Sequence, residues 1–479
     1  MKPASCSIPL YAKEGGGISK VVGHMRADQT TEVPPSRLAR LGLAMRRHRG
    51  AILAIQWAVV LFYLALVAVP AFLPLPPDQA GLLDNLTRLA QFLFWGVWWP
   101  FVILSVMTMG RVWCGVFCPE GALAEWASGF GLGRPVPRWM KWAGWPFVAF
   151  VLTTVFGQMT SVYEYPKPAL LILGGSTVAA IAVGLVYGRN SRVWCRHLCP
   201  VSGVFGLLAR IAPLHFRVDR AAWDAAPAPA NPVRCAPLID IRRMESASPC
   251  HACGQCAGQR GAVELAWRSP EAEVLRPAKA ADAGEMWLAC LLIFGMLGVA
   301  LGAFQWSSSP WFVAMKQAAA EWLVNREMGW ALEPPGLWWL FTYYPEVNDA
   351  FTWLDGGVLL AYIGAEALLL GGWIGLCLRL AAWVTGLAWT RLAMTLIPLA
   401  GAGVFVGLSL LTSSQLAGEG ITLPWANSLR LTLLALAALW GVSLAWRLGS
   451  GRARIVAPLG IAFAALPPLL AWYQQFFVW

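Results

Sequence analysis

Charged residues are scarce in this chain. Asp, Glu, Lys and Arg make up 13% of the 479 residues, whereas a typical soluble domain contains about 25%. Hydrophobic residues make up 58%, and 28 residues are Trp, which is more apolar side chain than a soluble core can bury. The composition therefore excludes an ordinary soluble domain and predicts a protein that lies in a lipid bilayer.

The sequence also lacks a signal-peptide cleavage site and a concentrated basic patch. The first apolar run begins near Ala51, behind a basic leader, and continues to about Leu75 with no small-residue cleavage site. The net charge of +11 comes from Lys and Arg scattered between apolar runs. We interpret it as a topology signal and expect no nucleic-acid binding. We expect residues 1–49 to be a disordered leader.

Nine segments are long and apolar enough to span a membrane. They cover about 51–74, 88–108, 143–160, 169–187, 286–305, 357–378, 392–412, 428–446 and 455–475. The connecting loops alternate between basic and neutral or acidic, and basic loops usually stay in the cytoplasm. We therefore predict an all-α polytopic membrane protein with a cytoplasmic N-terminus and about nine transmembrane helices. Its expected parts are a four-helix unit (50–215), a cytoplasmic loop (216–284) and a five-helix extension (285–479) with an outer loop at about 306–356.

One motif occurs twice, each time after a pair of predicted spans. The segment from Arg111 to Pro119 reads RVWCGVFCP, and the segment from Arg192 to Pro200 reads RVWCRHLCP, 81 residues later. Two such hairpins packed about a pseudo-twofold axis would gather four thiols on the cytoplasmic side. These are Cys114, Cys118, Cys195 and Cys199. Four thiolates can hold an iron-sulfur cluster, zinc or copper, and a reducing cytoplasm disfavours disulfides. Four unligated cysteines are the structural alternative.

A second cysteine motif follows in the loop after the fourth predicted span. Cys250, Cys253 and Cys256 form the C-x2-C-x2-C core of a bacterial ferredoxin motif, but Arg260 stands where the fourth Cys belongs. Upstream, Cys235 resembles the tail of a first motif whose other cysteines are absent. In two-cluster ferredoxins such a tail binds the other cluster. We therefore predict one [4Fe-4S] cluster held by Cys235, Cys250, Cys253 and Cys256, with a zinc site as the alternative.

In combination, these motifs resemble the membrane polyferredoxins of the NapH/NosR type, over residues 51 to 268. This group includes quinol-oxidising components of periplasmic nitrate reduction, electron donors of nitrous-oxide reductase, and the CcoG-type copper reductase. The resemblance implies electron transfer between a quinone pool or cytoplasmic donor and a membrane or periplasmic acceptor. It also implies a redox partner protein and a place in the bacterial cytoplasmic membrane. The sequence departs from the pattern in lacking one ferredoxin cluster and in carrying residues 285–479.

Few other residues suggest chemistry. Only five His occur, none of them paired within spans as bis-histidine haem would require, and no flavin signature is found, so we expect neither cofactor. His197 lies between two candidate ligands and could tune the site or donate a proton, although an interfacial role explains it equally well. Glu366 falls inside the sixth predicted span and is a candidate proton relay for quinol oxidation. A misplaced boundary or a hydrogen bond to a neighbouring helix are the alternatives.

The leading hypothesis is an iron-sulfur electron-transfer subunit, with the loop cluster and a second iron-sulfur cluster, or copper, at the C-x3-C-P motifs. A metal reductase or respiratory-complex assembly factor that uses these thiolates on copper is the second hypothesis. A redox-sensing transporter is the weaker third hypothesis, because only Glu366 marks a candidate intramembrane site.

Overall fold

The computed structural model of the protein describes residues 36–77, 79–227, 233, 235–276 and 283–479. Residues 1–35, including Cys6, lie outside the described residues. For them the expectation of a disordered leader stays a prediction. The end of that leader is not irregular: α1 covers Arg37–Arg47, and the Ser36 hydroxyl caps it by accepting the Ala39 N–H at 3.1 Å.

Eight helices of the described chain are long and apolar enough to cross a membrane. They are α2 (Arg49–Phe72), α3 (Leu86–Met109), α6 (Pro166–Tyr187), α8 (Ala283–Gln305), α10 (Trp353–Thr385), α11 (Ile397–Gly418), α12 (Ala426–Leu448) and α13 (Ala453–Phe477), with the shorter helices α4 (Pro119–Gly129), α5 (Trp145–Met159), α7 (Ser202–Ile211) and α9 (Pro310–Val324) between them. The all-α polytopic class is confirmed. The expected third span is α5, whose 15 residues extend about 22 Å against a hydrocarbon core of about 30 Å. Eight of the nine predicted spans are therefore long enough to cross the bilayer, and α5 is a shorter apolar helix that ends beside the predicted outer loop, where the Met159 carbonyl accepts the Thr342 N–H at 2.8 Å.

Two short helices follow the repeated cysteine motifs and are buried among the spans. In α4, Pro119 occupies the first turn, where a missing N–H costs nothing, and the helix packs against α2 and α6. The second short helix, α7, packs in the matching way against α5 and α3, and its Leu207 and Leu208 are completely buried. Each repeat is therefore a hairpin, a cysteine turn and a short inserted helix.

The basic loops meet at one end of the helix bundle, which we call the cysteine end. Arg447, at the end of α12, forms an ion pair with Glu271, and Arg391 donates to the Leu275 carbonyl at 3.2 Å. Loops of the other class meet at the opposite end, where Glu419 accepts the Leu82 N–H at 2.6 Å. The two classes of loop are thus segregated as the charge pattern predicts, whereas the side of the membrane that each faces stays a prediction.

The ferredoxin-like segment is a small unit on the cysteine end. Strands β1 (Leu214–Val218) and β2 (Val263–Trp267) pair antiparallel and bracket the cysteine loop. Helix α1 packs on this sheet, where a side chain on Gly42 would come within 3.1 Å of Leu265 Cβ. At the opposite end, β3 (Tyr343–Tyr344) and β4 (Asp349–Ala350) form a two-residue ladder in the predicted outer loop.

Candidate metal centres

The two C-x3-C-P motifs adopt the same backbone turn. In the first, the Cys118 N–H donates to the Trp113 carbonyl at 2.9 Å, and in the second, the Cys199 N–H donates to the Trp194 carbonyl at 3.0 Å. These bonds close a turn one residue wider than an α-helical turn. The turn ends at the second cysteine, where Pro begins or approaches a new helix. The repeat seen in sequence is therefore also a repeat in structure.

Four thiols from these turns form the first candidate site, which we call the repeat quartet. They are Cys114, Cys118, Cys195 and Cys199. Burial raises the pKa of the Cys195 thiol to about 12, Arg192 opposes the rise, and Cys114 adds to it. Burial and the other three cysteines likewise raise the pKa of Cys199. The four thiols thus share one electrostatic environment, and as bare thiolates they would repel one another.

The second candidate site is the loop quartet in the ferredoxin-like segment. It consists of Cys235, Cys250, Cys253 and Cys256. Burial raises the pKa of Cys250 to about 12, the Ala252 N–H opposes this by donating to the sulfur at 3.4 Å, and Cys253 and Cys235 raise the pKa further. Burial and the other three members also raise the pKa of Cys256. Cys235 therefore lies near enough to the motif cysteines to act on their pKa values, and its place in the ligand set stays a prediction.

The two quartets are in direct backbone contact. A Cβ placed on Gly115, between Cys114 and Cys118, would overlap the His251 carbonyl oxygen and lie 2.9 Å from Cys253 Cα. From the other side, buried Gln56 of α2 donates to the Gly115 carbonyl at 2.9 Å. Only glycine fits between these neighbours, so the first cysteine turn and the ferredoxin loop pack against each other without an intervening side chain.

Two buried arginines, one from each repeat, lie between the quartets. Arg192 is 1% exposed, donates to the Cys114 carbonyl, and forms an ion pair with Glu125 of α4 at 2.7 Å. Its charge acts on Cys195 of the repeat quartet and on Cys253 of the loop quartet. Since Arg192 belongs to the second repeat and Glu125 to the first, this pair also joins the two repeats.

Arg111 plays the corresponding part from the first repeat, with different partners. It is 5% exposed and donates to the Ser248 carbonyl at 2.9 Å and to the Ser202 hydroxyl at 3.0 Å. Its charge acts on three cysteines of the repeat quartet and on Cys250. Both quartets therefore have a buried positive charge beside them, which stabilises anionic thiolate clusters.

The donor sets fit iron-sulfur clusters. All ten cysteines within the described ranges are free thiols, and N–H groups point at candidate ligand sulfurs, as Gly121 does toward Cys118 Sγ at 3.4 Å. Across the same described ranges, no three Cys, His, Asp or Glu side chains meet closely enough to hold one metal ion. That requirement does not apply to a cubane, in which each thiolate binds its own iron.

The remaining predicted site residues lie apart from these contacts. His197 is half-buried in the second cysteine turn, where burial, Arg196 and Lys141 lower its pKa to about 4, so the imidazole is neutral at pH 7. Glu366 packs against Gly302 of α8, and Gly302 is 19 residues from Ala283 at the cysteine end, or about 28 Å along the helix. The role of Glu366 as a proton relay stays a prediction, and the structure does not place Glu366 beside the thiols.

Some residues of the site gave no signal in the sequence. Glu125 has no counterpart in the second repeat, where Gly206 stands at the 81-residue offset, so comparing the repeats could not find it. Glu120 is half-buried beside the repeat quartet, accepts a hydrogen bond from Trp194 Nε1 at 3.3 Å, and has its pKa raised by desolvation. Comparing the repeats shows that Gly115 differs from its counterpart Arg196. The comparison does not show that Gly115 lies against His251 and Cys253.

Comparison with known proteins bears directly on the repeat quartet. The profile of a 4Fe-4S binding domain matches residues 91–137 and 171–219, and these stretches contain all four of its cysteines. The chain is also 24% identical to a putative electron transport protein of Escherichia coli, over 43% of this chain and 65% of that protein. The resemblance to membrane iron-sulfur proteins is confirmed.

The comparisons cover this chain only in part. The aligned region spans less than two thirds of the Escherichia coli relative, and the domain profile matches neither the loop quartet nor the helices from α8 onward. No solved structure matches the chain. The contact between the two quartets therefore comes from this structure, not from a relative.

Proposed function

We propose that this protein transfers electrons between two metal centres at the cysteine end of its membrane bundle. The loop quartet holds one [4Fe-4S] cluster, and the repeat quartet holds a second iron-sulfur cluster. Each centre changes its charge by one electron. The match to a 4Fe-4S binding domain and the similarity to a putative electron transport protein support this role.

The observation that carries the proposal is the contact at Gly115. Electron transfer needs centres held close together in a fixed arrangement, and here the turn that carries Cys114 and Cys118 touches the backbone of Cys253. The buried Arg111 joins the first cysteine turn to Ser248 of the ferredoxin-like segment, and the buried Arg192 joins the two repeats through the Cys114 carbonyl. These contacts favour a two-centre relay over two independent structural metal sites.

We further propose that the cysteine end faces the cytoplasm of a bacterium. The clustered basic loops support this orientation through the positive-inside rule, and a reducing compartment suits free thiols and iron-sulfur clusters. Electrons would then pass between a quinone pool or a cytoplasmic donor and a membrane or periplasmic acceptor.

Anaerobic purification followed by metal analysis and EPR tests the proposal. We expect about eight iron and eight sulfide per chain, from two cubanes that are each held by four thiolates, and two spin systems. Cys253→Ser should abolish or alter one signal, and Cys118→Ser the other. A single signal that is lost only with Cys253→Ser, together with one copper per chain, would show that the repeat quartet is a copper site. Absence of iron would exclude the proposal.

A further inference from the structure

One ligand of the loop quartet opens onto the surface. Cys235 is half-buried and lines an open cleft of about 350 Å³ together with Arg189, Asn190, Leu238 and Asp240. Cys114 and Cys195 of the repeat quartet are buried, and Cys118 and Cys199, although half-buried, do not line the cleft. An electron that enters or leaves through a cluster ligand passes most directly where that ligand approaches the surface, so the cleft marks the accessible side of the loop centre.

The rim of this cleft is positively charged. Arg189 and Arg196 are exposed, and the charge of Arg196 acts on Cys235. The nearby carboxylate of Asp240 pairs with Arg243 at 3.4 Å, and Asp224 pairs with Arg242 at 2.9 Å. Neither Arg189 nor Arg196 forms an ion pair with any residue that the structure describes. Their charges are therefore available to an anionic partner.

Leu238 lines the cleft with an exposed apolar side chain, although its backbone adopts an unfavourable conformation. Leu238 is 49% exposed and has a φ of 58°, a region that branched, bulky residues rarely adopt. A hydrogen bond from the Leu238 N–H to the Cys235 carbonyl, at 2.9 Å, holds the turn. Packing does not explain why position 238 is Leu, because Gly would fit the backbone better and the Leu238 side chain faces solvent. A small apolar contact within a charged rim is the usual make-up of a protein docking site.

We propose that this cleft is the docking site of a small acidic electron-carrier protein. Carboxylates of the carrier contact Arg189 and Arg196, and Leu238 contacts an apolar surface beside the carrier's redox group. One electron passes between carrier and loop cluster, so one is oxidised as the other is reduced, and no bond or proton is exchanged. This inference rests on the proposed function, because it requires a cluster at Cys235.

Stopped-flow reduction of the protein in nanodiscs tests the docking site. The probe is a reduced bacterial ferredoxin of net negative charge, and the readout is the second-order rate of cluster reduction at low and high NaCl. We expect the variant Arg189→Glu/Arg196→Glu to lose about tenfold in rate at low salt, as for electrostatically steered pairs. Arg452→Glu, an equally exposed arginine at the same end, should keep the wild-type rate.

A second variant separates docking from folding. Leu238→Gly removes the apolar contact and relieves the positive φ, so we expect unchanged or higher thermal stability and several-fold slower reduction by ferredoxin. Reduction of Leu238→Gly by dithionite, a small anion that needs no apolar docking surface, should stay at the wild-type rate.

Three outcomes would overturn the inference. Intact clusters whose reduction by ferredoxin is unchanged in both variants would exclude the docking site alone. An effect of the arginine reversals that requires phosphatidylglycerol and vanishes in pure phosphatidylcholine nanodiscs would show that the arginines bind lipid headgroups instead. Absence of iron and of any EPR signal would exclude the proposed function together with the docking site.

Discussion

Two pairs of equivalent positions explain how one ferredoxin-like segment sits on two similar repeats. Gly115 corresponds to Arg196, and Gly206 corresponds to Glu125, each at the 81-residue offset. Glycine occurs on the side where the segment approaches: a Cβ on Gly206 would lie 2.8 Å from Ser248 Oγ. The counterparts are charged. At each of the two contact points, one repeat therefore has glycine and the other has a charged residue. The ferredoxin-like segment can consequently pack on the repeats in one arrangement only.

The contact at Gly115 predicts the effect of a single methyl group. In Gly115→Ala, the new Cβ would collide with the backbone of His251 and Cys253, which cannot rotate away as a side chain could. We expect the ferredoxin loop to move, with weaker magnetic coupling between the reduced clusters and slower electron exchange, measured by EPR and by freeze-quench kinetics. Gly50→Ala, whose Cβ meets nothing within 4 Å, is the control. Unchanged coupling in Gly115→Ala would contradict the direct contact.

Arg192 should tune both centres at once, because its charge acts on a cysteine of each quartet. Replacement in Arg192→Gln removes a buried positive charge, which disfavours the more negative reduced clusters. We expect both midpoint potentials to fall, on the order of 60 mV, which is a tenfold change for a one-electron couple. Redox titration followed by EPR measures this, in a background of Glu125→Gln so that no unpaired carboxylate remains. A shift of one potential alone would place Arg192 at a single site.

At the scale of elements, helix α1 packs on the ferredoxin-like segment, a contact that was not predicted from the sequence. Arg46 and Arg47 are both exposed, and Arg46 donates to the Ala257 carbonyl at 2.8 Å, next to Cys256. Losing a hydrogen bond of this kind costs about 0.5–1 kcal/mol. We therefore expect Arg46→Ala to speed amide exchange across residues 250–262 by about two- to fivefold, with faster cluster loss in air.

Arg47→Ala is the matched control for that experiment. It removes the same charge from the next position of α1, so it should leave amide exchange across the ferredoxin loop unchanged. Equal effects from both substitutions would mean that α1 acts through its overall charge and not through its contact with Ala257.

Sequence reasoning found the elements whose signal is local and missed those that depend on packing. Long apolar runs predicted nine spans, which correspond to the eight long helices and the shorter α5, and the spacing of Cys250, Cys253 and Cys256 is the basis for their predicted grouping. Helices α4 and α7 are about ten residues long, too short to be recognised as membrane segments. Helix α1 is polar on its outer face and was interpreted as a disordered leader. Its partners, such as Leu265, are more than 200 residues away, so no local pattern could show the contact.

For the whole molecule, the extension beyond the cysteine loops is part of the same core and not an appended domain. Helix α8 is the most buried of the eight spans, and it packs against α5, α7, α10 and α11. Leu291, Leu292 and Ile293 of α8 are almost completely buried in a cluster shared with Leu207 and Leu208 of the second repeat. The helices from α8 onward therefore support the repeat that carries Cys195 and Cys199.

The distribution of charge over the whole molecule predicts its orientation. Ile421 is exposed at the end opposite the cysteines, and Arg452 is exposed at the cysteine end. In intact cells, a membrane-impermeant maleimide should label Ile421→Cys and leave Arg452→Cys unlabelled until the membrane is permeabilised. The physical reason is that basic loops resist translocation, and the basic loops that the structure describes lie with Arg452. Labelling of Arg452→Cys in intact cells would instead place both quartets outside the cytoplasm, where neither a cytoplasmic donor nor a reducing environment could serve them.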